Sequence, residues 1–270
     1  ANISSFELME RAARALYSAF RSSTTIQKES KFAIFCGMGN NGGDGLALAR
    51  LLINDGKSVR VFILKHKEEG SADFERNLRV LKEITTCIFY LTGDNHSLEF
   101  LNNELLVDAI FGSGLNRAVD GFTKAIVEQI NSSGNPVLSI DSPTGLFSGE
   151  NSNNHQTAVI KAKHTFTIGA PTLSLFFPSN HQYTGSWSLV EIGLDKSFLE
   201  KVEAEYFLLK KRDIAAKLKS RSEFAHKGNF GHALIVAGSY GKIGAALLST
   251  KACLRTGAGL VSAAVPRCGY

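Results

Sequence analysis

Residues 31–52 read KFAIFCGMGNNGGDGLALARLL, and the rest of the chain can be organised around this stretch. Residues 32–36 are a short apolar run with the length and composition of a buried parallel strand. Residues 40–45 consist of Gly, Asn and Asp, and residues 46–53 then carry apolar side chains on nearly every face. The stretch therefore predicts a strand, a tight glycine loop and a helix, the arrangement with which α/β proteins bind anions and nucleotides.

The glycine loop fits several kinds of site. Residues 37–42 satisfy the pattern G-x-G-x-x-G, which leaves a dinucleotide-dependent oxidoreductase as one interpretation. That interpretation requires an acidic residue after the second strand to bind a ribose hydroxyl, but the second predicted strand, Ser58–Leu64, is followed by the basic residues 65–67. A P-loop requires a Lys and a Ser or Thr directly after the glycines, and neither is present there. Asp44 alone can also be explained as a helix N-cap.

The composition is that of a soluble globular protein. Of 270 residues, 44% are hydrophobic and 20% are charged, which fits one large domain or two. No apolar run in the sequence approaches the roughly 18 residues of a membrane span, so no membrane partner is expected. The four cysteines lack C-x-x-C spacing, which favours reduced thiols and a cytoplasmic location. The seven histidines lack metal-ligand spacing, so no zinc site is expected.

The formal net charge is +5 at pH 7, and the basic residues concentrate between residues 201 and 221. A nucleic-acid surface is one explanation, and a solvated helix and linker face is the usual one. Attraction to a small polyanionic ligand is a third explanation, and it fits the glycine loop better. We therefore expect no nucleic-acid partner.

Apolar and helical segments alternate along the chain. Residues 6–21 predict an amphipathic helix with arginines rather than a signal sequence, and its apolar side is a candidate surface for a homo-oligomer. Further helices are predicted at residues 71–82, 97–103 and 122–130. Further strands are predicted at residues 87–91, 105–111, 136–140, 163–168 and 186–191. This alternation predicts an α/β fold, a three-layer, Rossmann-like, mostly parallel sheet with helices on both faces.

Three polar loops are predicted at the carboxyl ends of strands, the edge at which open α/β sheets bind ligands. Their sequences are GMGNNGGDG (37–45), GSGLNR (112–117) and DSPTG (141–145). The strand before the second loop contains Asp108, and an ionised carboxylate inside an apolar strand is costly unless something satisfies it. A backbone or serine hydrogen bond would satisfy it, and so would a cation or a reacting proton, which the nearby glycine loop favours.

The sequences GMGNNGGDGLALAR, VDAIFGSGLNR and SIDSPTGL resemble, in this order, three motifs of the YjeF N-terminal family, the NAD(P)H-hydrate epimerases. Three motifs in register between residues 37 and 145 are far more specific than one glycine loop. The resemblance implies an isomerase that interconverts the two C6 epimers of hydrated NADH or NADPH, damaged cofactors with water added to the nicotinamide ring. Thr144 stands where the third motif usually has a serine, and its hydroxyl keeps the same ligand chemistry.

The resemblance also implies which residues bind the substrate and a cation. The phosphates and sugars of the substrate would be bound by Asn40, Asn41, Gly42, Gly43, Asp44, Gly112, Ser113, Gly114, Leu115, Asn116, Arg117 and Ala118, with Asp141 also in contact. A potassium ion (K+) would be bound by Asn41, Asp108 and Thr144, which offer hard oxygen ligands.

Epimerisation at C6 requires a bond to the carbon to open and to re-form on the other face. That chemistry needs an acid–base group close to the nicotinamide and electrostatic support for a cationic ring. Asp108 is the first catalytic candidate. Lys65 is the second, although a surface lysine explains it equally well. Lys65 and His66 are also candidates for favouring a 2′-phosphate, and thus hydrated NADPH.

From His226 the chain starts a second β-α-β unit, with predicted strands at 232–237 and 260–265 around a helix at 245–255. This segment resembles the opening of the ADP- or ATP-dependent NAD(P)H-hydrate dehydratase domain, a ribokinase-like fold. The resemblance implies an epimerase domain at 1–205, a linker at 206–225 and an incomplete dehydratase domain at 226–270. It also implies ADP or ATP with Mg²⁺ (Mg2+) as cofactors of that lyase, and Ala245 as a further substrate-binding residue. The alternative is one more pair of strands on the first domain.

The sequence therefore predicts an NAD(P)H-hydrate epimerase that forms the first half of a bifunctional repair enzyme. The alternative from another functional class is a ligand-binding scaffold of the same family without catalysis.

Overall fold

A parallel sheet forms the centre of the fold, as the alternation of apolar and helical segments predicts. The residues that the computed structural model describes are 3–22, 31–93, 97–152, 154, 158–199, 201–218 and 220–267. They fall into two units, one ending at Val202 and one beginning at Glu203.

The described part of the first unit contains seven strands. They are β1 (Lys31–Cys36), β2 (Ser58–Leu64), β3 (Ile88–Leu91), β4 (Glu104–Ala109), β5 (Val137–Ile140), β6 (His164–Ile168) and β7 (Ser186–Val190). Their order across the sheet is β3-β2-β1-β4-β5-β6-β7, and each neighbouring pair is parallel. The expected α/β fold with a mostly parallel sheet is therefore confirmed.

Helices connect most of these strands. They are α1 (Ser5–Ser22), α2 (Asn40–Asn54), α3 (Ala72–Lys82), α4 (Gly121–Ser132), α5 (His181–Thr184) and α6 (Lys196–Leu199), with 3₁₀ turns at Leu173–Phe176 and Pro178–Asn180. Among the described residues, none of the helices has both the length and the apolar character that crossing a bilayer requires.

The two faces of the sheet are covered by different helices, which makes three layers. Alternate residues of β1 point to opposite faces, because side chains alternate along a strand. Phe32 and Ile34 join a core with residues of α1, α2 and α3, whereas Ala33 and Phe35 join a second core with residues of α4. Both faces of the central strands are thus buried, which explains their continuous apolar sequences.

The apolar side of α1 is used inside the first unit. Its buried residues are Met9, Ala12, Ala13, Leu16 and Phe20. Leu16 and Phe20 are fully buried in the core formed with α2 and α3. The apolar side that favoured a homo-oligomer surface is therefore already covered within this unit.

The glycine-rich segment is helical rather than a loop, which corrects the sequence prediction. Helix α2 begins at Asn40 with Gly39 as its N-cap, so Asp44 lies inside the helix and is not the N-cap. The glycines allow this helix to touch neighbouring backbone. A Cβ on Gly42 would lie 1.7 Å from the carbonyl oxygen of Gly37, and one on Gly45 would lie 2.6 Å from the Cβ of Ala109.

The helix predicted at residues 97–103 is also wrong. Residues 97–101 have no regular secondary structure, and residues 102–103 form a turn that leads into β4. Glu104, at the start of β4, accepts hydrogen bonds from Arg60 and from the backbone N–H of Leu101. The contact with Arg60, which is distant in sequence, and the local contact with Leu101 organise the segment instead of a helix.

The second unit contains the β-α-β segment predicted from residue 232 onward. It consists of β8 (His232–Val236), α8 (Gly244–Thr256) and β9 (Leu260–Ala264), preceded by the short helix α7 (Lys211–Ala215). Strands β8 and β9 are parallel and pair with each other in a separate sheet. The alternative of one more pair of strands on the first sheet is therefore wrong. Leu234, Val236 and Leu248 are among the large apolar side chains exposed in this unit.

Candidate functional site

The main candidate for a functional site lies at the point where the strand order reverses. Strand β1 pairs with β2 on one side and with β4 on the other, so the connections leaving β1 and β4 diverge. Open α/β sheets bind ligands in the crevice that this divergence creates. A cavity of about 440 Å³ occupies it and is lined by Gly39, Asn40, Asn41, Asp44, Ile110, Phe111, Gly112, Ser113, Gly114, Leu115, Asn116, Arg117 and Asp141.

The carboxylate of Asp108 is buried next to this cavity and is fully hydrogen-bonded. Its Oδ2 accepts hydrogen bonds from Ser139 Oγ and from the backbone N–H of Thr144, both at 2.8 Å. Its Oδ1 accepts from Thr144 Oγ1 at 2.6 Å and from the backbone N–H of Ile110 at 3.2 Å. Asp108 therefore has both serine and backbone partners, as the simpler sequence interpretation required.

Burial and hydrogen bonding shift the pKa of Asp108 in opposite directions. Burial raises the pKa of this carboxyl to about 6, while the hydrogen bonds from Thr144, Ser139 and Ile110 lower it. Asp108 is 1% exposed and does not line the cavity. Its hydrogen bonds hold the end of β4 against the end of β5 and against the loop that follows β5.

Thr144 connects the same loops from the other side. Its Oγ1 accepts a hydrogen bond from the backbone N–H of Phe111 at 2.9 Å and lies 3.2 Å from the carbonyl oxygen of Phe111. Three oxygen atoms, from Asp108, Thr144 and Phe111, therefore lie close together below the cavity. Hard cations bind clusters of oxygen atoms of this kind.

Asp141 is held in an unusual backbone conformation directly after β5. Its φ is 68°, a left-handed value that is uncommon outside glycine. Its Oδ2 accepts a hydrogen bond from the backbone N–H of Ser113 at 2.7 Å, and its N–H donates to the carbonyl oxygen of Phe166 at 2.8 Å. A Cβ on Gly112 would lie 2.4 Å from this Oδ2, so glycine is required for the carboxylate to reach the loop.

Asp44 and Asp141 place two carboxyl groups on the same cavity. Burial raises the pKa of Asp44 to about 8, and the negative charges of Asp141 and Asp73 add to the effect. Asp44 therefore keeps its proton in a large fraction of molecules at neutral pH. A carboxyl group that holds a proton at neutral pH can act as a general acid.

Asn41 is a further candidate for contact with a ligand. Both the oxygen and the nitrogen of its carboxamide are buried and have no hydrogen-bond partner in the described part of the chain. A buried amide without partners costs roughly 1–3 kcal/mol. Because the residue lines the cavity, a ligand or cation there would satisfy the amide.

A second cavity of about 350 Å³ adjoins the first. It is lined by Lys65, His66, Gly93, Phe111, Leu115, Arg117, Ala118, Val119, Asp120, Gly121, Phe122 and Thr123. The two cavities share Phe111, Leu115 and Arg117. Lys65, expected as a catalytic candidate, is exposed and lines this second cavity rather than the first.

The structure brings most of the predicted site residues together, but not all of them. Gly42 and Gly43 are buried on the inner side of α2, where a Cβ on Gly43 would lie 2.7 Å from Met9 Sδ. Their role is therefore close packing. Ala118 lines only the second cavity, and Ala245 is exposed in the first turn of α8 in the second unit.

Some lining residues were missed by sequence reasoning. Gly39, Ile110 and Phe111 line the first cavity, and Asp120 and Thr123 line the second. Ile110 and Phe111 were assigned to a strand, which in the structure ends at Ala109. The G-x-G pattern marked Gly39, and the helix predicted at residues 122–130 located the start of α4 to within one residue, but no motif placed that start at a cavity.

Known proteins resemble this chain over most of its length. The family described as YjeF-related protein N-terminus matches residues 5–174. The bifunctional NAD(P)H-hydrate repair enzyme Nnr of Moorella thermoacetica is 35% identical over 270 residues, which cover 98% of this chain and 51% of that protein. The NAD(P)H-hydrate epimerase of Oenococcus oeni is 34% identical over 194 residues, which cover 69% of this chain and 85% of that protein.

The fold has also been seen experimentally. The crystal structure of yeast ynu0, YNL200c, matches with a TM-score of 0.57 at 22% identity, over 78% of this chain and 89% of that one. At this identity, the likeness concerns the fold alone. The chain spans about half the length of the bifunctional relatives that it matches.

Asp44 should make the stability of the protein depend on pH. Because its pKa rises from 3.8 to about 8 on folding, its stabilising contribution is complete below about pH 4 and is lost as the pH rises through 8. Asp108 titrates near 6, so the effect of Asp44 is best measured between pH 6.5 and 8.5. At pH 8.5, the Asp44→Asn variant should have a free energy of unfolding about 1–3 kcal/mol above the parent's, measured by urea unfolding.

The control is Asn40→Ala, which removes a polar side chain from the same helical turn without removing a titratable group. Its stability should change with pH in parallel with the parent's. A curve for Asp44→Asn that also stays parallel to the parent's over this range would contradict the raised pKa.

Proposed function

Because the chain belongs to the family of YjeF-related protein N-termini, we propose that its first unit is an NAD(P)H-hydrate epimerase. One observation carries the proposal beyond family membership. The cavity where the strand order reverses brings a proton-carrying Asp44 and a second carboxyl, Asp141, to one surface. Epimerisation of hydrated NADH or NADPH needs an acid–base group at such a position.

The chemistry follows from the substrate. At C6 of the hydrated ring, either the carbon–oxygen bond or a bond of the ring breaks. The broken bond then re-forms so that the oxygen lies on the opposite face. Proton transfer from Asp44 to the departing oxygen would assist opening of the carbon–oxygen bond and leave the pair of electrons on that oxygen. The ring then carries a positive charge, which the carboxylate of Asp141 would stabilise. Return of the oxygen with loss of its proton to Asp44 completes the exchange.

The geometry favours Asp141 over Asp108 as the carboxylate that meets the substrate. All four hydrogen bonds to Asp108 come from the protein, and the residue is 1% exposed. Asp141 lines the cavity. We therefore assign Asp108 to positioning and Asp141 to contact with the substrate. Lys65 lines only the second cavity, which supports a binding role for it.

The polar part of the substrate would bind along the rest of the first cavity. The first turn of α2 presents backbone N–H groups there, and Gly39 has no side chain that could cap them. Such helix N-termini bind phosphate groups. Arg117 lines the same cavity and adds a positive charge, while Ser113 to Asn116 provide further backbone and side-chain donors.

A potassium ion fits the oxygen atoms below this cavity. The buried carboxamide of Asn41 has no hydrogen-bond partner in the described part of the chain, and Oδ1 of Asp108 and the carbonyl oxygen of Phe111 both lie close to Oγ1 of Thr144. We propose that Asn41, Asp108 and Thr144 hold the ion. When bound, the ion would supply a fixed positive charge that orders the loops after β4 and β5 and attracts the anionic substrate.

The second unit is proposed to be the opening of an ADP- or ATP-dependent dehydratase domain, as in a bifunctional repair enzyme. The match to the Moorella thermoacetica enzyme extends over 98% of the chain and therefore includes this unit. Parallel strands are normally covered on both faces, but β8 and β9 expose many of their residues. The dehydratase itself belongs to the part of the relatives that this chain does not cover.

Assayed alone, these 270 residues should therefore epimerise hydrated NADPH without dehydrating it. The S epimer would be incubated with the protein, Mg²⁺ and either ADP or ATP, and reduced cofactor would be detected by its absorbance. Formation of NADPH above the level without nucleotide would contradict this assignment of the dehydratase.

The epimerase proposal is tested by following the R-to-S interconversion by NMR or chromatography, with a protein-free reaction as background. The parent should interconvert the epimers faster with potassium than with a choline salt of equal ionic strength. Thr144→Val should lower the rate about 10- to 100-fold and lose the potassium response, because it removes an oxygen ligand. Thr144→Ser keeps the hydroxyl and should keep the potassium response.

A folded parent that binds the hydrated cofactor without interconverting it would contradict the epimerase and support a scaffold. Loss of the potassium response in Thr144→Ser as well as in Thr144→Val would contradict the assignment of the ion to the hydroxyl.

A further inference from the structure

We propose that the second cavity is a specificity subsite for the 2′-phosphate of the substrate, so that hydrated NADPH is preferred over hydrated NADH. The inference rests on the proposed function for the identity of the substrate. Its structural basis is a separate cavity that carries Lys65, His66 and Arg117 at the same edge of the sheet.

The two cavities adjoin each other, so one extended dinucleotide can reach both. They share Phe111, Leu115 and Arg117, and their volumes are about 440 and 350 Å³. Asp44 and Asp141 line only the first. If the nicotinamide lies against these carboxyl groups, the adenosine end of the substrate has the second cavity available to it.

The position of Lys65 matches the chemistry of a 2′-phosphate. Dinucleotide folds that prefer NAD place an acidic residue near the end of the second strand, where it binds the ribose 2′-hydroxyl, and those that bind NADP place a cation nearby. Here Lys65 follows β2 directly, and its N–H donates to the carbonyl oxygen of Leu91 at 2.9 Å. The backbone is thus fixed by β3, while the ammonium group is exposed at the cavity.

His66 adds a second group that can respond to an anion. Its Nδ1 lies 3.0 Å from the carbonyl oxygen of Leu64, which can only accept, so Nδ1 carries the hydrogen and Nε2 can bind a proton. The ring meets Phe111 edge-on, with centroids 5.3 Å apart. Burial lowers the pKa of His66, and the positive charges of Lys67 and Arg117 lower it further.

One negative group also faces this cavity. Asp120 lines it as the N-cap of α4, and its side chain makes no capping hydrogen bond. The backbone N–H groups of Gly121, Phe122 and Thr123 lie in the first turn of α4, where a helix leaves its N–H groups without intrahelical partners. The cationic side chains of Lys65 and Arg117, together with this turn, therefore outweigh one carboxylate.

The pKa of His66 is a direct reporter of an anion in the second cavity. We would measure it by NMR, with His66→Gln to assign the signal, alone and with saturating 2′-AMP or 5′-AMP. Binding of 2′-AMP should raise the pKa of His66 by about half a unit or more, because a dianion reverses the repulsion from Lys67 and Arg117. The 5′-isomer should raise it less. Equal effects of the two isomers, or none, would overturn the proposal.

Binding of NADP⁺ and NAD⁺ measured by calorimetry gives the second readout. The parent should bind NADP⁺ about 10-fold more tightly than NAD⁺. Lys65→Ala should remove most of this preference by lowering the affinity for NADP⁺. Lys67→Ala is the matched control, since Lys67 has the same charge, is exposed and does not line the cavity. The control should keep the preference. Equal loss in Lys65→Ala and Lys67→Ala would show general electrostatics instead of a subsite.

These measurements do not require turnover, so they separate this inference from the proposed function. A parent that fails to epimerise but shows the His66 response and the NADP⁺ preference would contradict only the epimerase. An active epimerase without either response would contradict only the subsite.

Discussion

The buried carboxylate of Asp108 is the constraint on which the arrangement of the first unit's site depends. A charged group inside a strand is unfavourable unless it is satisfied, and here four hydrogen bonds from Ser139, Thr144 and Ile110 satisfy it. Thr144 extends the same network to Phe111. Because these hydrogen bonds can form only when the strand ends are in register, they fix the loops that surround the cavity.

The cavity combines several features that oppose stability. Asp141 has a left-handed backbone, Asn41 buries an amide without partners, and Asp44 is buried near another carboxyl group. Each of these costs free energy in the folded protein. Their presence at one cavity, supported by a well-packed sheet, is typical of a site selected for binding and chemistry. A ligand or cation in the cavity would satisfy the amide of Asn41, and a proton removes the charge of Asp44.

The sequence predicted the sheet well, because buried parallel strands leave a clear signal. Strand β2 was predicted with its observed bounds, and the loop motifs led to residues that line one cavity. Its errors have physical causes. Residues 40–45 were taken as a loop because three glycines disfavour a helix, but close packing against Gly37 and Ala109 requires glycines there.

The roles of individual carboxyl groups could not be predicted from sequence. The sequence places Asp108 inside a predicted strand and Asp141 directly after one, and only the structure shows that Asp108 is covered by hydrogen bonds while Asp141 lines the cavity. The raised pKa of Asp44 depends on burial and on Asp141, which is distant in the sequence. Likewise, the second cavity is formed by the ends of β2 and β3, the loop after β4 and the start of α4, which no motif connects.

The most direct test of this account compares Asp141→Asn with Asp108→Asn in the interconversion of the R and S epimers of hydrated NADPH, with unfolding curves for both. Asparagine tolerates the left-handed backbone of Asp141 and can still accept the hydrogen bond from Ser113, so Asp141→Asn should remain folded and lose about 100-fold or more in rate. Asp108→Asn should instead lose stability, because an amide nitrogen would face hydrogen-bond donors. A folded Asp141→Asn variant that interconverts the epimers at the parent's rate would contradict the account.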